Sequence, residues 1–340
     1  MKVFIYEHIT SGALIEESLP ASLAREGNEM LLAIIDDLIQ LPGIELLIVR
    51  DTRLNTVASI ESNTLHQCQL IDSQHSFHQH YNKAIDDADF ILAIAPETDG
   101  VLHAIQKTII DKNKQSLGSH PSAIQISSDK LLCYQILTAN KLLSPKTVLA
   151  SNWLLNKYPS SSGYIVKPRN GAGCIDTHFF PDEPSLSTWL EVQSGDLDKN
   201  IIQPYIVGES ISLSIFYSKG DHLVLAINQQ HIEVKQQTVH FNGCTVNGVS
   251  TEKFNLEQAN IIARNVLHPI SGLWGFVGID LIINEGKVYI VDINPRLTST
   301  YIGLHQSLSF NPAQLLLPMI NSTKLTMPIL SRQHTVEVRI

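Results

Sequence analysis

Gly278-Ile279-Asp280-Leu281-Ile282-Ile283, then Asn284-Glu285-Gly286, then Val288-Tyr289-Ile290-Val291-Asp292-Ile293-Asn294-Pro295-Arg296 reads as one hairpin near the end of the chain. Two β-branched runs joined by a three-residue loop containing Gly are a hairpin signal. With that loop, Ile283 faces Lys287 and Asp280 faces Ile290. Side chains alternate with period two, so Asp292 and Asn294 share the face of Asp280 on the diagonal. Two carboxylates and an amide oxygen then converge, and Arg296 follows directly. Hard oxygen ligands of this kind suit Mg²⁺, which keeps some waters and takes further oxygens from a nucleotide's phosphates. An exposed strand face carrying unrelated polar residues fits the same spacing equally well.

The bulk numbers narrow the classes. At 340 residues the chain is long enough for two or three domains. Apolar content of 44% with 17% charged residues is a globular profile. A net charge of −9 leaves no basic stripe to neutralise phosphates, which argues against nucleic acid as a partner. Cys68, Cys133, Cys174 and Cys244 are scattered, with no CxxC pair or metal-finger spacing, as expected of reduced thiols in a cytoplasm. The N-terminal Val3-Phe4-Ile5-Tyr6 meets Glu7 and His8 too early for a signal-peptide core. The most apolar stretch, Met30 to Val49, is broken by Asp36, Asp37, Pro42, Gly43 and Glu45, so no membrane span is expected.

The first third alternates short apolar strands (Val3–Tyr6, Leu46–Val49, Phe90–Ala95) with helical patterns (Leu19–Leu41, Leu102–Ile110). That βα alternation predicts a parallel sheet with helices outside. A second unit begins near Ile126. Ser128 and Asp129 are N-cap candidates for a helix carrying Leu131, Leu132, Ile136 and Leu137. Strands are expected at Tyr164–Lys167, Ile201–Tyr205, Ile211–Tyr217 and Leu223–Asn228, and a helix at Leu256–Val266 precedes the hairpin. The segment His240 to Ser250 reads as a loop.

Three upstream segments carry chemistry. Tyr164-Ile165-Val166-Lys167-Pro168-Arg169-Asn170-Gly171-Ala172-Gly173-Cys174 ends a strand in a lysine and continues into a small-residue loop. Glycines let backbone N–H groups approach phosphate oxygens, and the lysine adds a compact positive charge. An Asn-Gly hairpin turn is the plainer alternative. Lys130 stands in the first turn of its helix, where a cation is mildly disfavoured unless an anion binds there; a solvated lysine is the alternative. Ile201 to Ser210 forms a strand, a bend and an acid. Its backbone offers donors and acceptors to an adenine edge, and Glu209 offers a carboxylate to ribose hydroxyls; a domain hinge with a solvated Glu209 fits as well.

In order along the chain stand a helix-start lysine, a strand lysine with a glycine loop, a hinge with Gly-Glu, and Asp…Asp-x-Asn. That order resembles the ATP-grasp superfamily from roughly Ile126 to Leu317, and the first third is similar to the βα domain that usually precedes it. The resemblance implies an α/β and α+β protein. Its parts would be an N-terminal βα (pre-ATP-grasp) domain over residues 1–125, a small lobe over 126–205, and a large lobe with the metal and substrate site over 206–340. ATP would lie between the lobes. Lys130 and Lys167 would bind its phosphates, Gln203, Tyr205 and Ile206 its adenine, and Glu209 its ribose. Asp280, Asp292 and Asn294 would hold Mg²⁺, with Mn²⁺ able to replace it.

Within the superfamily the chain looks most like the tyramine–glutamate ligases of methanofuran biosynthesis. The similar stretches are Asp129-Lys130-Leu131-Leu132-Cys133-Tyr134, Gly208-Glu209-Ser210-Ile211-Ser212-Leu213-Ser214, Gly275-Phe276-Val277-Gly278-Ile279-Asp280 and Asp292 to Thr300. The strand Leu225 to Ile232 and the opening Tyr6-Glu7 are similar too. The chain departs from the pattern at Asp292, where a glutamate is usual, and at Cys174, where another glycine is common. The chemistry implied is amide formation from glutamate and an amine through an acyl phosphate. Arg296 is the candidate catalytic residue for that phosphate, because its fork fits an oxyanion; a structural salt bridge is its alternative role. Another ATP-grasp amide ligase, a carboxylase-like member, and a non-catalytic ATP-binding regulator are the competing functions. The expected partners are small molecules, with the oligomeric state open between monomer and homodimer.

Overall fold

Apolar runs at 2–7, 45–51 and 90–94 build the middle of the N-terminal sheet, and the more polar, exposed 67–71 forms one edge. The elements are β1 (Lys2–Glu7), α1 (Ala21–Leu38), β2 (Glu45–Asp51), α2 (Ala58–Glu61), β3 (Gln67–Ile71), α3 (Gln74–Asp87), β4 (Phe90–Ile94), α4 (Val101–Asp111) and β5 (Gln115–Ser116). The strands lie parallel in the order β3-β2-β1-β4-β5. Period-two alternation splits β1 between two cores. Val3 and Ile5 pack with Met30, Leu31, Ile34 and Ile35 of α1. Phe4 and Tyr6 pack with Phe77 and Ile85 of α3 and Ile105 and Ile109 of α4. A parallel sheet buried on both faces reads as continuous apolar runs, as these strands do. The computed structural model describes residues 1–61, 65–193, 195–321, 323, 328, 330 and 334–340.

Two helices, α5 (Pro121–Ser128) and α6 (Lys130–Ala139), lead into an antiparallel sheet. Its first part holds β6 (Val148–Leu149), β7 (Tyr164–Pro168), β8 (His178–Phe180), α7 (Glu183–Val192) and β9 (Asn200–Pro204). Its second part holds β10 (Glu209–Ser218), β11 (Asp221–Lys235), β12 (Thr238–Val246), α8 (Leu256–Leu267), β13 (Gly275–Asn284) and β14 (Lys287–Asn294). The chain finishes with α9 (Tyr301–Leu308), α10 (Leu317–Ile320) and β15 (Val336–Arg339). The strand order is β14-β13-β10-β11-β12-β8-β7-β9-β6, with β15 beside β12. The two parts touch through the pair Thr238 and His178, so the sheet is nearly two sheets. Among the described residues no helix is long and apolar enough to cross a membrane.

Alternation along β10 sets the floor of a cleft. Ile211, Leu213, Ile215 and Tyr217 pack against Ala259, Ala263 and Val266 of α8. Ser210 and Ser212 face the other way and line a cavity, where their small side chains leave room. The sheet is clamped to α1 from above by a single buried carboxylate. Asp37 accepts from the Tyr301 hydroxyl at 2.7 Å and contacts His305 Nδ1, while its own carbonyl accepts from Asn311 Nδ2 at 2.8 Å.

The structure corrects the register expected for the hairpin. Glu285 (φ 47°) and Gly286 (φ 77°) are both left-handed, as a two-residue type I′ turn requires. Asn284 therefore pairs with Lys287, and Leu281 with Ile290. A bulge at Val291 then places Asp280 opposite Asp292 instead of Ile290, and Gly278 opposite Asn294. The cause is packing. Ile290 and Ile293 both enter the core shared with Ile279 and Leu281, a spacing of three that plain alternation cannot deliver, and one extra residue absorbs the mismatch.

A second correction concerns His240 to Ser250. Its first half belongs to β12, which pairs with both β11 and β15. Asn242-Gly243 looks like a turn, yet Gly243 (φ +111°) serves close approach: a Cβ there would sit 2.0 Å from the Val338 carbonyl oxygen. Gly243→Ala should therefore lower stability by on the order of 2 kcal/mol or more. Gly220→Ala, which meets nothing within 4 Å, should cost less. Thermal melting of the two variants checks the ranking, and equal melting temperatures would contradict it.

Candidate functional site

A cavity of about 710 Å³ opens between the parallel sheet and the antiparallel one, lined by residues of both. Its volume is that of a small-molecule site. One end is charged. Asp129 caps α6 by accepting from Leu131 N and Leu132 N at 3.1 Å each, and it also holds Arg169 through Nε at 2.9 Å. That cap fixes the start of the helix and so aims Lys130 inward. Lys130 is 7% exposed; its Nζ donates to the Gly171 carbonyl at 2.7 Å and pairs with Asp292 Oδ2 at 2.9 Å. Burial works against its charge, but Asp292 outweighs burial and holds its pKa above the ordinary value. Lys167, on β7, is equally buried and belongs to no ion pair among the described residues. Burial pushes its pKa down, against the pull of Asp292.

Asp280 and Asp292 face each other at one register position. Asp280 Oδ1 accepts from Gln230 Nε2 at 2.8 Å and Oδ2 from Asn294 Nδ2 at 3.0 Å. Its pKa is nevertheless pushed up to about 6, by burial and by the Asp292 charge. Two carboxylates in repulsion, with an amide alongside, form a hard-oxygen donor set that a divalent cation would relieve. The donor chemistry of Asp280, Asp292 and Asn294 therefore fits Mg²⁺.

Gln203, Tyr205 and Ile206 line the same cavity. The Gln203 amide donates to Thr147 Oγ1 at 2.8 Å, and the Tyr205 ring meets Phe179 edge-on at 4.9 Å. Cys174 borders the cavity with a left-handed backbone (φ 59°) in the glycine loop, and burial pushes its thiol up to about 11. Glu209 lies elsewhere. Alternation turns it away from Ser210 and Ser212, and its carboxylate pairs with Lys253 Nζ at 2.5 Å outside the cavity lining.

The other end of the cavity belongs to the N-terminal sheet. Arg296 is buried there in a bidentate pair with Glu97, Nε to Oε1 at 2.9 Å and Nη2 to Oε2 at 3.1 Å. Glu97 follows β4, and Glu7 ends β1, so both sit where the order β3-β2-β1-β4-β5 reverses. Ligands in open α/β sheets collect at that switch point, outside the carboxyl ends of the strands. Glu97 escapes a reading of the sequence by motif, although its place after the strand Phe90–Ala95 is a usable signal. Gln230 lies in the strand Leu225 to Ile232; its contact with Asp280 depends on long-range pairing.

A family model of the ATP-grasp domain matches residues 127–300, and one of the pre-ATP-grasp 3 domain matches residues 44–124. Among curated proteins, the chain is 28% identical over 252 residues to a tyramine–L-glutamate ligase of Methanocaldococcus jannaschii, covering 74% of this chain and 69% of that protein. It is 24% identical over 189 residues to a D-alanine–D-alanine ligase of Petrotoga mobilis, covering 53% and 61%. Among solved structures, an ATP-grasp superfamily protein from Archaeoglobus fulgidus superposes with a TM-score of 0.68 at 21% identity, covering 100% of this chain and 99% of the other. An L-amino acid ligase from Bacillus licheniformis gives 0.62 at 14%, covering 93% and 72%. These two structural matches speak for the fold. The chain belongs to the ATP-grasp family and is a ligase of its carboxylate–amine type.

Proposed function

We propose that this ligase joins L-glutamate to tyramine or a related aromatic amine, consuming ATP and passing through an acyl phosphate. Lys167 carries the reading. A buried ammonium without an ion-pair partner is costly, and a phosphate of ATP supplies the missing anion beside Lys130. The tyramine–glutamate ligases among its relatives support the choice of substrates.

A carboxylate resists attack by an amine until its oxygen becomes a leaving group. Here the carboxylate oxygen attacks the γ-phosphorus, ADP leaves, and the amine then displaces phosphate from the acyl carbon. The protein contributes position and charge. Lys130 and Lys167 neutralise phosphoryl oxygens, and the strand edge at Gln203, Tyr205 and Ile206 receives the adenine. Glu209 neighbours Gly208 and Ser210 of the lining and would have to leave Lys253 and turn toward the cavity to take the ribose. Arg296, held in place by Glu97, offers its remaining N–H groups to the acyl phosphate. Mg²⁺ held by Asp280, Asp292 and Asn294 would neutralise charge on the transferring phosphoryl group, and Mn²⁺, another hard cation, is expected to replace it.

Incubation with ATP, Mg²⁺, glutamate and a panel of amines should yield the condensed amide, detected by mass. ATP binding without product for every amine would overturn the reading. Lys167→Met should lower kcat/KM for ATP about 100-fold or more, the scale of losing one charge-stabilising contact in a buried site. Asp280→Asn and Asn294→Ala should each abolish turnover. Undiminished turnover in either would sink the metal assignment.

A further inference from the structure

One helix face brings acidic and apolar side chains together into the cavity. Leu23, Glu26, Gly27 and Met30 line the cavity at the i, i+3, i+4, i+7 spacing of a single stripe on α1. A glutamate on the core-facing stripe of an amphipathic helix is out of place unless something there needs it. Gly27 is in this stripe because Glu7 packs against it: a Cβ would stand 2.6 Å from Glu7 Oε1.

Besides Asp280, the carboxylates near Arg296 are Glu97, Glu7 and Glu26, and the first two of these three are already occupied. Glu97 holds the guanidinium itself. Glu7 accepts from Ile9 N at 3.2 Å, Thr10 N at 2.7 Å and Thr10 Oγ1 at 2.6 Å, so it is built into the loop after β1. Glu26 interacts with Ser299 and, at longer range, with Arg296. Among the described residues lining this corner no other cation balances it, because burial lowers His8 to about 4 and leaves it neutral. Arg296 pairs with Glu97 and also acts on Glu26 and Glu7, so the corner holds more carboxyl groups than cations. Leu23 and Met30 flank Glu26 on the same helical stripe, and Leu14 and Phe241 also line the cavity. Burial raises the pKa of Glu26, so its carboxylate gains by taking up a proton or a cation.

We propose that Glu26 is the acceptor-amine residue of the site: it binds the ammonium of a primary amine whose body lies on the apolar stripe of α1, and takes its proton. This rests on the ligase reading above. The ammonium gives one proton to Glu26, and the free amine forms the C–N bond as the acyl C–O bond to phosphate breaks. The second proton leaves with phosphate, and Glu26 returns its own to solvent. The acceptor class follows: a primary amine with an apolar or aromatic body and no carboxylate near the nitrogen, since an anion would meet the surplus of carboxyl groups.

Hydroxylamine separates activation from amine capture, because it is small, neutral at pH 7, and traps an acyl phosphate as a hydroxamate without needing a carboxylate partner. Wild type, Glu26→Gln and Glu26→Asp would be assayed with ATP, Mg²⁺ and glutamate, once with hydroxylamine and once with tyramine, with melting temperatures as a fold check. The ratio of tyramine amide to hydroxamate should fall about 100-fold in Glu26→Gln, the scale of one general base, with partial recovery in Glu26→Asp. An unchanged ratio overturns the assignment. Loss of the hydroxamate in Glu26→Gln, with the fold intact, also overturns it and assigns Glu26 to the ammonium of the amino acid. Absence of hydroxamate in wild type would instead refute the ligase reading itself.

Discussion

Two carboxylates opposite each other on neighbouring strands repel, and much of this site is arranged around that repulsion. Asp280 and Asp292 meet because a bulge at Val291 lets Ile290 and Ile293 share one core. The apolar packing thus decides where the charges stand. The charges then recruit partners from other elements, Lys130 from α6 and Gln230 from β11, while Lys167 on β7 stands near enough to feel them without pairing with either. Lys130 ties Asp292 to the Gly171 carbonyl, so the hairpin, the helix start and the glycine loop share one cation. A ligand that takes over that cation necessarily disturbs all three, which gives nucleotide binding a direct route to the loop.

The N-terminal sheet is part of the same site. Arg296 leaves the end of β14 and finds its partner Glu97 almost two hundred residues earlier in the chain. Asp37 on α1 binds Tyr301 and His305 on α9, the helix that follows the Arg296 to Thr300 segment. The arginine and the face of α1 that carries Glu26 are therefore held from both directions. The two sheets divide the chemistry between them. On the function proposed above, the antiparallel sheet would handle phosphate and metal, and the switch point of the parallel sheet would offer acids to a second substrate.

Much of this was legible in the sequence. Periodicity located β1, β2 and β4 of the parallel sheet and helices α1 and α4, since apolar runs bounded by polar turns need no distant partner to be read; it missed β3, a polar edge strand with Gln67 and Gln69 exposed, and with it α3 and the two-residue β5. The order Lys130, Lys167, Glu209, Asp280, Asp292, Asn294 pointed to one cleft; the structure gathers all of these but Glu209 around one cavity, with Arg296 beside them, and leaves Glu209 on Lys253 outside the lining. Register was not legible: the bulge follows from which isoleucines the core accepts, and local alternation hides it. The segment His240 to Ser250 reads as a loop for a related reason, because its first half pairs with β15, almost a hundred residues later, where Gly243 lies against Val338. Nothing in the sequence sets Glu26 apart from the other polar residues of its helix. Only the position of α1 over the cleft distinguishes it.

The central claim is that this cleft activates a carboxylate by phosphorylating it. Glutamate labelled with ¹⁸O in its carboxylates, turned over with ATP and tyramine, tests that most directly. An acyl phosphate transfers one ¹⁸O per turnover to inorganic phosphate, and that is the result the structure predicts. Amide formed with wholly unlabelled phosphate would contradict it.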